Sequence, residues 1–276
     1  MNEQRIESIE LFPVLNARLM EILSGMSRDD WDAKTNFPSW TVKDICAHLL
    51  DTSIRRLSSE RDGYRPGETV AVDSYDGLVR YLTGLADRWA SAFSGTSPRI
   101  LTDMIGRYQD ELYEYLRTKD PFGYAMFPVG WAGEERSYNW FDIAREYTER
   151  WHHQAQIREA LHREPLYDRS LYYPVLDTFM QALPYHYKDF RKDGAHILAV
   201  EILGTAGGTW FVEWMDERIE LKYKIGKDPD TVVRIRQEDA WRLFTKWGRP
   251  GLEENVAIVG DTGIGKHLLG MTCIMM

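Results

Sequence analysis

The sequence is poor in cysteine. It has two in 276 residues, Cys46 and Cys273, in opposite halves of the chain and neither in a CxxC pair. That excludes a disulfide framework and a zinc knuckle, and both thiols read as buried small apolar groups. Long hydrophobic runs are missing too: nothing approaches the roughly 18 residues of a membrane-spanning helix. The first residues, Met1-Asn2-Glu3-Gln4-Arg5-Ile6, lack the basic-then-apolar layout of a signal peptide. A cytoplasmic protein with no membrane partner is expected. Positive charge is also scarce, with 34 Lys and Arg against 43 Asp and Glu for a net charge of −9. Such a surface is unsuited to a phosphate backbone, which argues against nucleic acid as a partner.

What is abundant is apolar and aromatic. Hydrophobic residues make up 43% of the chain, and ten Trp and fifteen Tyr stand among them. That suffices for one large core or two, with aromatic-lined cores or pockets. Apolar residues at mixed three and four spacing predict a helix over Ile6 to Leu23, with Pro13 as a kink site. A capped turn, Met26 to Trp31, follows. The next helix starts near Val42, with Thr41 as N-cap and Asp44 in the capping-box position usually held by Glu or Gln. Further helices are predicted around Leu78 to Trp89, Ile100 to Leu116 and Asn139 to Leu161. The stretch from Lys119 to Ser137, rich in aromatics, Gly and Pro, reads as a loop able to cover a pocket.

Two of these helices carry candidate ligands. His48 sits at the edge of the stripe formed by Val42, Ile45, Cys46, Leu49 and Leu50, with Asp51 one turn on as a partner able to orient it. Taken alone it is a partly buried histidine bonded to a carboxylate. Glu149 and His153, four residues apart, project from one helix face and can grip one ion together. The bland alternative is a solvated i,i+4 pair, with Glu146 and Arg150 as surface charge. His152 faces another direction and is a fallback ligand. In combination, His48, Glu149 and His153 form a neutral imidazole pair plus a carboxylate from a helical interior. That is the donor set of a catalytic zinc with a position left for water or substrate, and nickel or iron accept the same donors.

Here the chain resembles a family. Ser27-Arg28-Asp29-Asp30-Trp31, Pro38-Ser39-Trp40-Thr41-Val42-Lys43-Asp44 and Ala47-His48-Leu49 are similar to the N-terminal signature of mycothiol-dependent maleylpyruvate isomerases and the wider DinB-like metalloenzyme superfamily. Glu149-Arg150-Trp151-His152-His153-Gln154-Ala155-Gln156 resembles its later motif. The resemblance implies an up-and-down four-helix bundle that binds a divalent metal, usually zinc, through His48, Glu149 and His153.

Past Pro165 the pattern changes. A connecting helical segment from Leu171 to Phe190 is broken at Pro184, and short β-rich runs follow at Ile197 to Ile202, Trp210 to Trp214, Ile219 to Tyr223 and Thr231 to Ile235. Asp239 to Trp247 reads as a helix, Asn255 to Val259 as a last strand and Lys266 to Met271 as a last helix. The fold class is therefore α+β with two domains: residues 1–165 a helical bundle, 166–190 a connector, and 191–276 a smaller domain with an antiparallel sheet. The last resembles the sterol-carrier-protein-like domain of the isomerase family. There an arginine contributes to the active site, and the similarity of Trp247-Gly248-Arg249 to the family's Gly-Arg segment makes Arg249 the candidate, with Arg234 and Arg236 as competitors for anion binding.

Gly260-Asp261-Thr262-Gly263-Ile264-Gly265-Lys266-His267 has the glycine and lysine spacing of a phosphate-binding loop. His267 stands where a magnesium-holding Ser or Thr belongs, and the chain left after it is too short for a parallel sheet. It reads as a turn and a helix start. The resemblance implies a metal-dependent enzyme using a low-molecular-weight thiol, such as mycothiol or bacillithiol, on a small electrophilic substrate as an isomerase or S-transferase. A metal-dependent hydrolase without thiol and a non-catalytic carrier of a hydrophobic ligand are the alternatives.

Overall fold

Pro13 opens the first helix instead of bending it. A short 3₁₀ turn at Ile9–Leu11 leads into α1 (Phe12–Ser24), and Pro13 stands in its first turn, where a missing N–H costs nothing. Ser27 then caps α2 (Arg28–Trp31), with Asp30 returning the bond to the Ser27 amide at 2.8 Å. Thr41 does the same for α3 (Val42–Arg56): its hydroxyl accepts from the Asp44 amide at 3.3 Å, and Asp44 Oδ2 accepts from the Thr41 amide at 2.8 Å. The shorter Asp closes the capping box as Glu would. Such a cap is worth about 1 kcal/mol. It fixes the first turn of the helix that carries His48.

The computed structural model describes residues 5–36, 39–64, 75–190, 194–215, 218–246 and 251–274. The chain falls into two compact units, one formed by Ser8–Met126 with Glu149–Pro165, the other by Phe127–Thr148 with Leu166–Met275 and the first seven residues. The first unit is helical. After α3 the backbone widens into a π-helical turn at Leu57–Arg61, and α4 (Tyr75–Ala92), α5 (Pro98–Leu116) and the second half of α6 (Asn139–Ala160) follow. α3 packs against α4 and α5, and α1 against α5. Leu19, Leu23, Trp31, Ile45, Cys46, Leu49, Leu50, Leu101, Ile105 and Ile157 meet in one core. Burying each large aliphatic side chain contributes about 1.5–3 kcal/mol. At the π-helical turn Glu60, its side chain 1% exposed, is clamped between Arg56 Nε at 2.9 Å and Lys119 Nζ at 2.6 Å.

The second unit is α+β. α7 (Arg169–Met180) and α8 (Leu183–His186) precede β1 (His196–Leu203), β2 (Gly208–Met215), β3 (Arg218–Lys222) and β4 (Thr231–Arg236). α9 (Gln237–Phe244), β5 (Ala257–Val259) and α10 (Thr262–Leu268) complete it. Pro184 begins α8, so the expected break stands between α7 and α8. The sheet order is β3-β2-β1-β4-β5. It is antiparallel except between β1 and β4, which pair in parallel from Leu198 beside Thr231 to Leu203 beside Arg236. The expected antiparallel pairing thus holds for three of the four strand pairs, with β1 and β4 the parallel exception. β2 and β3 intervene in the chain, and a crossover of that length allows β4 to join β1 on its other edge in the parallel sense. No helix among the described residues is long and apolar enough to cross a membrane.

The glycine-rich stretch after β5 is the turn and helix start that its context predicts. Asp261 caps α10, accepting from the amides of Gly263 at 2.9 Å and Ile264 at 3.2 Å, so these N–H groups are spent inside the loop. Gly260 has φ +96°, and a Cβ there would overlap the Asp230 carbonyl; a Cβ on Gly265 would overlap Ile258. Both glycines are explained by backbone conformation and by the close approach of α10 to β5.

Candidate metal centre

α6 is the helix on which the site depends, and it is not amphipathic in the ordinary way. Between Phe141 and Ile157 only Arg145 and Glu149 escape burial. Glu146 and Arg150, which an isolated reading assigns to the surface, are 5% and 4% exposed. Arg150 reaches into the helical unit and donates from Nη2 to Ser53 Oγ on α3 at 2.9 Å. A helix buried on nearly every side has to satisfy its polar groups internally, and those groups are what the site is made from.

Glu149 and His153 do share a face. Glu149 Oε2 lies 3.8 Å from His153 Nε2, with the Glu149 side chain 23% exposed and His153 3%. His153 Nδ1 lies 2.7 Å from Gln156 Oε1. An amide oxygen only accepts, so Nδ1 carries a proton; in the neutral ring Nε2, on the Glu149 side, then carries the lone pair. That is the tautomer a metal ligand needs, held by the kind of partner that orients ligating histidines. Gln156 is 1% exposed, and so is Gln154, which donates to the Leu15 carbonyl at 2.9 Å and ties α6 to α1. Gln156 was not singled out from sequence as an orienting residue. Its place three residues after a candidate histidine was the available signal.

His48 arrives from α3. Its ring centroid is 4.7 Å from that of His153, nearly edge-on, and 5.4 Å from the Trp40 ring. Trp40 is itself fixed by its indole N–H, which donates to Asp87 Oδ1 at 2.9 Å. Asp51, proposed as the partner of His48, is instead gripped by Arg55, whose Nε and Nη2 approach its two oxygens at 2.6 Å each. Burial pushes the Asp51 carboxyl up, against the pull of Arg55.

Among the described residues the donor atoms that lie within 4.8 Å of one another come from Glu149, His152 and His153. On a helix of about 3.6 residues per turn, His152 lies roughly 60° to one side of Glu149 and His153 roughly 40° to the other, so His152 flanks the carboxylate almost as closely. Its ring stacks on His153 with centroids 5.3 Å apart. His152 is fully buried, and burial, with His153 and His48 beside it, pushes its pKa well below the ordinary histidine value. The imidazole is held neutral, the form that ligates. His48 is not in that group, though its ring lies against His153; two imidazoles and one partly exposed carboxylate are donors that fit a borderline divalent ion such as zinc.

Arg249 lies outside the described residues. Arg234 is paired with Glu201 at 2.6 Å and Arg236 with Asp239 at 2.9 Å. Cys46 and Cys273 are both fully buried, and burial pushes both thiols up, so neither is a ready nucleophile.

A family model for the mycothiol maleylpyruvate isomerase N-terminal domain matches residues 13–158, more than half of the chain. The chain belongs to this family. His48, Glu149, His152 and His153 all fall inside the matched span of this family member. Two crystal structures align over 91% of this chain and 91% of theirs, both at 11% identity. One is of mycothiol-dependent maleylpyruvate isomerase, with a TM-score of 0.52, and the other is of a histidine-to-alanine mutant of it, with a TM-score of 0.55. They show a shared fold. No curated protein gives a significant match.

Proposed function

We propose that this family member is a divalent-metal-dependent enzyme that uses a low-molecular-weight thiol, mycothiol or bacillithiol in kind, on a small electrophilic substrate. The reaction class is isomerisation, which the name of its structural relatives gives for maleylpyruvate, carried out here by reversible thiol addition, or transfer of the thiol. The observation that carries the reading is the bond from His153 Nδ1 to Gln156 at 2.7 Å, which leaves Nε2 of the neutral ring facing Glu149.

His48, Glu149 and His153 would hold the ion. Bound there, a divalent ion supplies the Lewis acidity that lets a thiol lose its proton near neutral pH. The residues of the chain do the rest. Gln156 keeps the His153 proton on Nδ1. Trp40 packs beside the His48 ring and keeps it from turning. Glu149, the one partly exposed member of the α6 group, marks the side from which a small molecule reaches the site. The buried cysteines leave the nucleophilic sulfur to a separate thiol. Arg249, on the similarity of its Gly-Arg segment, is assigned to binding an anionic group of the substrate. The domain reading of residues 1–165, 166–190 and 191–276 belongs to the same proposal, with the metal in the first.

Metal analysis of the wild type beside Glu149→Ala and His153→Ala tests the site, and turnover with and without added thiol tests the chemistry. Stoichiometric metal in the wild type, lost in both variants, with activity only when thiol is present, is expected. Full metal content in both variants would sink the site. Turnover of esters or amides without thiol would mark a hydrolase, and a metal-free protein that retains apolar ligand would mark a carrier.

A further inference from the structure

The donors that the fold brings closest together are not the three that spacing suggests. Glu149, His152 and His153 crowd within 4.8 Å of one another, all from little more than one turn of α6. Chelating donors that share a single ion sit roughly 3–4 Å apart when each bond is about 2.0–2.1 Å, so this group stands close to chelating separation. The His152 and His153 rings are nearly parallel, 28° apart, while the His48 ring stands 78° to His153. His48 thus approaches from α3 across the α6 group.

We propose that His152 is a further protein ligand of the ion, so that His48, Glu149, His152 and His153 hold it together. The inference rests on the metal reading above and extends it from two imidazoles to three. Neighbouring histidines on a helix point in different directions, and they converge on one ion only if the third donor lies between them. Glu149 occupies that position. Its carboxylate is flanked by His152 at i+3 and His153 at i+4, and both histidines are buried to within 2% exposure. One carboxylate and three neutral imidazoles make an N₃O set that fills four positions around a zinc ion. Zinc can take a fifth donor, so such a set would still leave room for a substrate sulfur.

Zinc-edge X-ray absorption on the zinc-loaded full-length wild type counts the imidazoles directly and needs no variant to fold. Three imidazoles are expected, and two would overturn the proposal. Competition with a chromophoric chelator supplies the second readout. His152→Ala is expected to weaken zinc binding by more than the roughly 10- to 100-fold that loss of an orienting partner costs, and to shift the visible spectrum of the cobalt-loaded protein. Gln156→Ala, which removes only such a partner, is expected to fall within that range and keep the cobalt band positions. Unchanged affinity and spectrum in His152→Ala would overturn the proposal while leaving the metal site intact. A wild type that binds no zinc at all would overturn both readings.

Discussion

The chain carries two histidine clusters, and they are built on opposite rules. In the helical unit, His153 gives its Nδ1 proton to the Gln156 side chain and turns Nε2 toward a carboxylate. In the α+β unit, His186 and His267 stack with centroids 4.4 Å apart, and each Nε2 lies against the main-chain carbonyl of the other, at 2.8 and 3.0 Å. A carbonyl only accepts, so both of those nitrogens are protonated and their hydrogens are spent on joining α8 to α10. Burial lowers the pKa of His186, with the His267 carbonyl opposing and Lys246 adding to the effect. Proximity of two imidazoles is common to both clusters. The destination of the N–H separates a candidate metal site from a structural clasp.

The sharpest way to break this comparison is metal content. His153→Ala and Glu149→Ala are expected to lose the bound ion completely, whereas His186→Ala and His267→Ala keep it; elemental analysis of the four variants decides, and a loss in the second pair would erase the distinction. Next in size is Gln156→Ala, expected to weaken metal binding about 10- to 100-fold, with chelator competition as the measurement. Only a bond that sets the tautomer predicts this from a residue that is not itself a ligand.

A smaller effect separates the clusters by pH. The folded-state pKa of His186 is depressed, so the unfolded chain takes up the proton first as pH falls. The associated stability is present above the unfolded value of about 6.5 and is lost as pH drops from there toward the folded pKa. Denaturant midpoints at pH 7.5 and 5.5 are expected to differ less in His186→Asn than in the wild type, with apo protein used for both. Equal pH dependence would remove His186 from the account. The smallest expected change is in Thr41→Ala, which takes the cap from α3. It should cost about 1 kcal/mol of stability, read from chemical denaturation, with metal content unchanged because His48 lies nearly two turns further on.

Much of the architecture was legible because it follows from local rules. Thr41 and Asp44 announced the start of α3, and short β-rich runs between turn residues marked the strands from β1 to β4. That Glu149 and His153 share a helix face followed from their spacing alone. What escaped was whatever depends on a rotamer or a distant partner. No pattern says that Gln156 turns back onto His153, that Arg55 takes both oxygens of Asp51, or that β4 lies parallel to β1. The burial of Glu146 and Arg150 escaped for a related reason. A charged helix reads as solvated unless its neighbours are known, and here Ser53 on α3 receives Arg150.

The loop from Gly260 to His267 has a wider bearing on how sequence patterns are interpreted. Its first glycine is required by a left-handed backbone and its last by the nearness of an isoleucine, and a lysine happens to follow. Two unrelated steric demands, set five residues apart, have written the same letters that phosphate selection writes in other folds. A pattern of this kind records a spacing, and only the direction of its amides tells what the spacing is for.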